Sequence, residues 1–301
     1  MNIAITGATG FVGRHLSEAL RAKGHQVTAI SRQDYALGTR GLAARLRGSE
    51  VVINLAGAPI NRRWTSAYKR ELFSSRVDTT RALAKAMHRM ENRPRLFIST
   101  SAIGAYDSQG RYTESDEPNA TDLLGELSRE WEAEARSAES CGIRTLIFRL
   151  GLVLGHDGGM MKQLLLPFRM GLGGPVGDGN QAFSWVHIED LLAAYCFALG
   201  DEKLSGLYHI CAPNPVTNSE FTRLLGETLN RPAFLRVPPA MLKLIYGEGA
   251  DVMTSGQWVT SARLPAAGFD FKHPALDTAL KAIVDRVEPL CPFSAVSSPG
   301  H

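Results

Sequence analysis

The chain has 301 residues, 44% of them hydrophobic, enough to bury one large α/β core with an appended lobe. Its formal net charge of +3 is too small to mark a nucleic-acid binder. Cys141, Cys196, Cys211 and Cys291 stand far apart with no Cys-x-x-Cys pair, which argues against a disulfide framework or a zinc site.

The first element predicted is a strand over Asn2–Thr6, running straight into Gly7, Gly10 and Gly13 and then into a helical pattern of Leu16, Ala19 and Leu20. Strand, glycine turn and helix are what is needed to seat a diphosphate on a helix N-terminus, where unpaired N–H groups and the macrodipole meet negative charge. Gly7 permits the tight turn, Gly10 lets the backbone approach the phosphates, and Gly13 lets the helix pack close to the sheet. With the strand opening at residue 2 and no apolar run of membrane-spanning length, a cytoplasmic protein with no membrane partner is expected.

Further strands are predicted at His25–Ser31, Glu50–Leu55, Leu96–Ser101 and Ile143–Leu150, separated by helical segments. Continuous apolar runs alternating with helices indicate a parallel sheet buried on both faces, a doubly wound, Rossmann-like α/β fold. A helix is expected over about Asp122–Ser140, capped by Thr121 and ending before Gly142. The second strand ends Ile30-Ser31-Arg32, a hydroxyl and a guanidinium where an NAD site places an acid. That pattern favours NADP(H) over NAD(H), since Arg32 can fork onto a 2′-phosphate that a carboxylate would repel; Arg14 is a candidate second cation.

After residue 150 the chain turns glycine-rich over 155–182, with short returns to strand near Phe183–Ile188 and Leu207–Cys211. Helices follow at Asn218–Leu229, after the bend Val237-Pro238-Pro239, and at Pro274–Val287. The expected organisation is a dinucleotide domain over 1–170 with returning segments near 183–197 and 207–213. A smaller substrate lobe over 214–288 and a disordered tail over 289–301 complete it.

Asn54-Leu55-Ala56-Gly57, Ser99-Thr100-Ser101, Arg149-Leu150-Gly151 and Trp185-Val186-His187-Ile188-Glu189-Asp190, added to the glycine turn, resemble the extended short-chain dehydrogenase/reductase superfamily. The stretches 54–64 and 173–190, with Ser255-Gly256-Gln257 and Gly268-Phe269-Asp270-Phe271, resemble an atypical branch, NAD-dependent epimerase/dehydratase-like proteins with a C-terminal domain of unknown function. The resemblance implies a cofactor site of Gly7, Thr9, Gly10, Phe11, Val12, Gly13, Ser31, Arg32, Leu55, Ala56, Gly57, Ser99, Leu150 and Gly151. It also implies Ser101 as the group that holds the substrate oxygen.

One departure concerns the reaction. The superfamily uses a Tyr on the helix after strand four, its pKa lowered by a Lys four residues on; Leu124 and Ser128 stand at those places. Ser101 and Tyr106, the nearest phenol, are therefore the catalytic candidates, with His187 a further possible proton donor. Arg62, Arg63, Lys69, Arg70 and Arg76 form a basic cluster, either a solvated helix face or a cradle for a phosphate or acidic substrate; Lys69 and Arg76 are expected on one helix face. Asn180 and Gln181 sit in a turn that is a candidate substrate contact. The expected function is an NADP(H)-dependent oxidoreductase or epimerase-like enzyme acting on a carbonyl or hydroxyl of a small molecule; the alternative is a non-catalytic NADP(H) sensor. Homodimer formation through exposed helices is a further expectation.

Overall fold

The computed structural model describes residues 1–286, so the expected tail at 289–301 lies outside the described residues. β1 (Asn2–Thr6) leads into α1 (Phe11–Ala22), then β2 (Gln26–Ile30), α2 (Arg32–Ala36), α3 (Gly38–Leu46) and β3 (Val51–Asn54). α4 (Ser66–Phe73) passes through a π-helical turn, Ser74–Asp78, into α5 (Thr79–His88) and then β4 (Leu96–Ala102). The short β5 (Arg111–Tyr112), α6 (Leu123–Arg136), β6 (Arg144–Leu150), β7 (Leu152–Leu154) and α7 (Met161–Arg169) follow. Then come β8 (Ala182–Phe183), β9 (Trp185–His187), α8 (Ile188–Gly200), β10 (Gly206–Ile210), β11 (Val216–Thr217) and α9 (Asn218–Thr228). α10 (Pro239–Tyr246), α11 (Asp251–Thr254), β12 (Trp258–Val259), α12 (Arg263–Ala266) and α13 (Leu276–Asp285) close the described chain.

Six strands form one parallel sheet in the order β10-β6-β4-β3-β1-β2. The period-two alternation of side chains splits its apolar residues between two faces. Ile5, Ile53, Ile98 and Phe148 pack on Leu16, Leu20, Leu191 and Tyr195 of α1 and α8. Ala4, Val52, Phe97 and Ile147 pack on Leu42, Leu83, Met87 and Ala135 of α3, α5 and α6. Each fully buried Leu or Ile contributes about 1.5–3 kcal/mol, and both faces are needed to hold a parallel sheet. A smaller core, with Phe183 stacked on Phe221 at 4.2 Å, joins α9 and α13 to β8 and β9.

The chain leaves β1 toward β2, then crosses back to place β3 on the other side. This reversal is the switch point where doubly wound sheets bind ligands, outside the carboxyl ends of the strands. The segment near 207–211 supplies the sixth strand of this sheet, β10, rather than a minor pairing.

Some boundaries differ from expectation. The helix after β4 is capped by Asp122, not Thr121: its Oδ1 accepts the Gly125 N–H at 2.8 Å, a better acceptor one residue further on. Its α-helical part stops at Arg136, where the chain tightens into a 3₁₀ turn, Ser137–Cys141, before Gly142 at φ +77°. Lys69 and Arg76 do not share a helix face, because the π turn between them breaks the seven-residue register.

Candidate coenzyme and active site

The glycine turn and the loop after β3 are pressed together at the switch point. Gly7 has φ +65°, and a Cβ there would lie 2.6 Å from the Leu55 carbonyl oxygen. A Cβ on Gly13 would lie 2.1 Å from the Gly7 carbonyl oxygen, so only glycine lets α1 begin this close to β1. Thr9 and Gly10 are exposed; Phe11 and Val12 are half-buried. Gly10 caps α1 without a side-chain acceptor, and no acid stands in the first turn, leaving the opening amides for an anion.

Across the floor of the crevice runs a polar row on one face of the sheet. Thr6 pairs in register with Asn54, Asn54 with Ser99, Ser101 with Arg149, and Arg149 with His209. Thr6 Oγ donates to Asn54 Oδ1 at 2.7 Å and accepts the Leu55 and Ala56 N–H groups, which fixes the loop after β3. Ser99 Oγ is buried without a hydrogen-bond partner, a polar atom the fold leaves unmet beneath the crevice. Leu150, half-buried, and Gly151 lie where the chain steps from β6 to β7; a Cβ on Gly151 would come within 2.8 Å of the Ser184 carbonyl oxygen.

At the outer end of β2, Ser31 and Arg32 are exposed. Asp34 folds back to accept from Ser31 N (2.7 Å) and Ser31 Oγ (2.8 Å), and Arg45 Nε pairs with its other oxygen at 2.7 Å. The Ser31 amide leads in holding the Asp34 carboxyl below its ordinary value. A carboxylate thus sits on the donors that a 2′-phosphate would use, a feature the strand-end reading missed. Arg14, expected as a second cation, lies 3.5 Å from Asp157, which also binds His15 Nε2 at 2.8 Å. The loop carrying Asp157 folds over Phe11, whose ring leaves no room for a Cβ on Gly158.

Ser101, Glu132, Arg149, Tyr106 and His209 form one buried network. Ser101 Oγ donates to Glu132 Oε1 at 2.7 Å; Arg149 forks onto both Glu132 oxygens at 2.7 and 2.8 Å. Arg149 Nη1 donates to Tyr106 Oη at 2.6 Å. His209 Nδ1 lies 3.0 Å from the Thr260 carbonyl, which can only accept, so Nε2 is free to accept from Tyr106 Oη at 3.0 Å. Burial, opposed by Arg149, pushes the Tyr106 phenol up to about 12. Tyr106 is 1% exposed and stacked on Tyr112, so it braces this network and is not free to trade protons with a ligand in the crevice. Ser101, 2% exposed, keeps its lone pairs for a substrate hydroxyl while its proton rests on Glu132.

Leu124 packs in the apolar group around Trp131, and Ser128 is buried, so neither residue replaces a Tyr/Lys pair. His187 is not a proton donor: its Nδ1 caps α8 by accepting the Glu189 N–H at 3.2 Å. Burial, then the neighbouring His273, push its pKa down to about 4, leaving it neutral near pH 7. Gln181 Nε2 donates to the Val176 and Met253 carbonyls, and Asn180 Nδ2 to Asp178, so both tie down their own turn.

A doubly wound parallel sheet with an amide-lined glycine turn at its switch point makes this a Rossmann-type α/β protein of the extended short-chain dehydrogenase/reductase kind. The model of the NAD dependent epimerase/dehydratase family matches residues 3–211, and that of a domain of unknown function (DUF1731) matches residues 237–283. The chain belongs to the NAD dependent epimerase/dehydratase family. It is 37% identical to the epimerase family protein SDR39U1 of Bos taurus, over 94% of this chain and 100% of that one. It is 36% identical to the SDR39U1 homolog, chloroplastic, of Arabidopsis thaliana, over 94% of this chain and 87% of the relative. The crystal structure of human SDR39U1 (isoform 2) with NADPH superposes with a TM-score of 0.88 at 34% identity, covering 95% and 100% of the two chains. UDP-glucuronic acid 4-epimerase from Bacillus cereus, solved with NAD, shares the fold at TM-score 0.75 and 18% identity, covering 95% and 98%.

Proposed function

We propose that this protein is an NADP(H)-dependent oxidoreductase or epimerase-like enzyme acting on a carbonyl or hydroxyl carbon held beside Ser101. The observation that carries the reading is the close approach of Gly7, Gly13 and Leu55 at the switch point, with the first amides of α1 left open. The NADPH bound to human SDR39U1 supports the same coenzyme here, and exposed Arg32 supplies a guanidinium for its 2′-phosphate. Bound coenzyme would supply the hydride acceptor or donor. A substrate alcohol would hydrogen-bond to Ser101, whose own proton already points at Glu132, giving a route for the alcohol proton through Ser101 to that carboxylate.

A second reading, a non-catalytic NADP(H) sensor, is favoured by Leu124 and Ser128 in place of the superfamily's acid/base pair and by the immobilised Tyr106. Titration of the purified chain with NADPH and NADH tests the coenzyme; weaker binding of NADPH than of NADH would overturn it. Stopped-flow NADPH oxidation with sugars, aldehydes and quinones then separates the readings. A rate lost in Ser101→Ala identifies the enzyme, and no rate with any of them in a NADPH-binding protein identifies the sensor. A cytoplasmic setting, supported by free Cys141, Cys196 and Cys211, and a homodimer belong to the same proposal. No described helix is long and apolar enough to cross a membrane.

A further inference from the structure

Arg76 leaves the surface where its neighbours Lys69 and Arg70 stay. The π-helical turn Ser74–Asp78 carries it, and Thr79 Oγ1 steadies that turn by donating to the Ser75 and Arg76 carbonyls at 2.7 and 3.1 Å. Such turns inside α-helices recur at functional sites. The guanidinium lies against Gly57, where a Cβ would stand 3.0 Å from Cζ, and 5.5 Å from the ring centroid of Trp131 on α6. The loop after β3 is tied to the turn twice, by Ala58 N to Ser75 Oγ at 2.9 Å and by Arg76 Nη2 to Ala58 O at 2.9 Å.

No carboxylate among the described residues pairs with this arginine. Its hydrogen bonds are to the Ala58 carbonyl and, at 3.4 Å, the Leu72 carbonyl, so most of its five N–H donors are uncommitted. Trp131 Nε1, beside it, is also a buried donor without an acceptor. Desolvation brings the guanidinium down to about 10, so it is still charged at neutral pH, yet the side chain is only half-buried. A crowded, charged, unpaired group with one open side is a side chain lining a crevice. An unpaired charge held this way costs stability and is retained for a partner.

We infer that Arg76 is a substrate-binding residue that takes an oxyanion, a carboxylate or phosphate group, on the substrate of the proposed reaction; this rests on the coenzyme site proposed above. Two placements assign the anion to substrate over coenzyme. The coenzyme's diphosphate has the amides of α1, and its 2′-phosphate has Ser31 and Arg32 at the far edge by β2. Arg76 lies on the opposite side of the switch point, against α6, where Trp131 adjoins the Glu132 that holds Ser101. The planar fork lying over an indole is set to meet a planar or tetrahedral oxyanion with two N–H bonds.

The test uses the full chain, with and without NADPH, titrated with inorganic phosphate and with acetate against chloride at constant ionic strength, read by tryptophan fluorescence. We expect a saturable response to one of the two anions. It should weaken at least about tenfold in Arg76→Gln and recover in part in Arg76→Lys, with NADPH affinity the same in all three. Arg76→Gln is expected to melt no lower than the parent, because it removes an unpaired charge. An unchanged titration in Arg76→Gln, no saturation in the parent, or a lower melting temperature in Arg76→Gln would overturn the inference. So would a tenfold loss of NADPH affinity in Arg76→Gln with phosphate competing against NADPH, which gives the oxyanion to the coenzyme. If the parent binds the anion through Arg76 but never binds NADPH, the proposed coenzyme fails and the oxyanion site stands.

Discussion

Ser101 and Arg149, register partners on β4 and β6, meet on a single oxygen: Ser101 Oγ and Arg149 Nε each lie 2.7 Å from Glu132 Oε1. Arg149 and Glu132 are both almost fully buried, so the pair is held by its own geometry and by the Ser101 and Tyr106 hydroxyls.

Glu132→Gln is expected to lower unfolding stability by about 3–5 kcal/mol in urea denaturation, because it strands a buried guanidinium. The double variant Glu132→Gln, Arg149→Met should recover much of that loss. A double variant as unstable as the sum of the two singles would show that the ion pair is not the coupled unit described.

Gly13→Ala is expected to abolish measurable NADPH binding by calorimetry. Its methyl would overlap the Gly7 carbonyl at 2.1 Å and force α1 away from the sheet, with a stability loss of about 1–3 kcal/mol. Unaltered affinity would mean that the diphosphate does not sit at this turn.

Coenzyme choice should respond to two side chains at the end of β2. Arg32→Ala is expected to weaken NADPH by about tenfold while leaving NADH nearly unchanged. Asp34→Asn should act the other way, because it loosens the acceptor now bound to Ser31 and removes a negative charge from the phosphate position. Equal effects on both coenzymes would sink the assignment.

Stability should fall with acid in two stages at the start of α8. His187 is held at about 4 in the fold against 6.5 unfolded, so the unfolded chain binds the extra proton first. Stability is therefore full above pH 6.5 and declines toward pH 4. Burial would raise the Glu189 carboxyl, but hydrogen bonds from His273 and Lys272 and the charge of Arg286 bring it to about 2. Its contribution, present above pH 4.5, is lost between pH 4.5 and 2. His187→Asn keeps a capping acceptor and should flatten the melting-temperature profile between pH 6.5 and 4 only; a profile as steep as the parent's would place that proton elsewhere.

What could be read in advance was local. Asn2–Gly13 carries its strand, turn and helix in consecutive residues, and the four further strands of the main sheet announced themselves as apolar runs. The buried network was harder, because Glu132 and Arg149 are seventeen positions apart and meet only after α6 folds onto β6. A signal was present in Arg149 itself, a charged residue within the otherwise apolar end of a strand buried on both faces, which requires a partner. The basic cluster misled for a similar reason: periodicity assumes 3.6 residues per turn, and nothing in residues 66–88 declares the π turn. Asp34 was passed over because attention fell on the last residue of β2, whereas its carboxylate returns to that point from three residues on.

The π turn between α4 and α5 amounts to one residue more than a continuous helix would hold. Deleting a single residue from Ser74–Asp78 would let the two helices fuse and rotate everything on one side of the junction by about 100° relative to the other. With α5 anchored by Leu83 and Met87 against the sheet, the swing would fall on α4 and on Arg76. A one-codon change could therefore turn this side chain outward to water without touching the coenzyme loop, so the length of this segment, as much as its composition, is a heritable setting of what the crevice accepts.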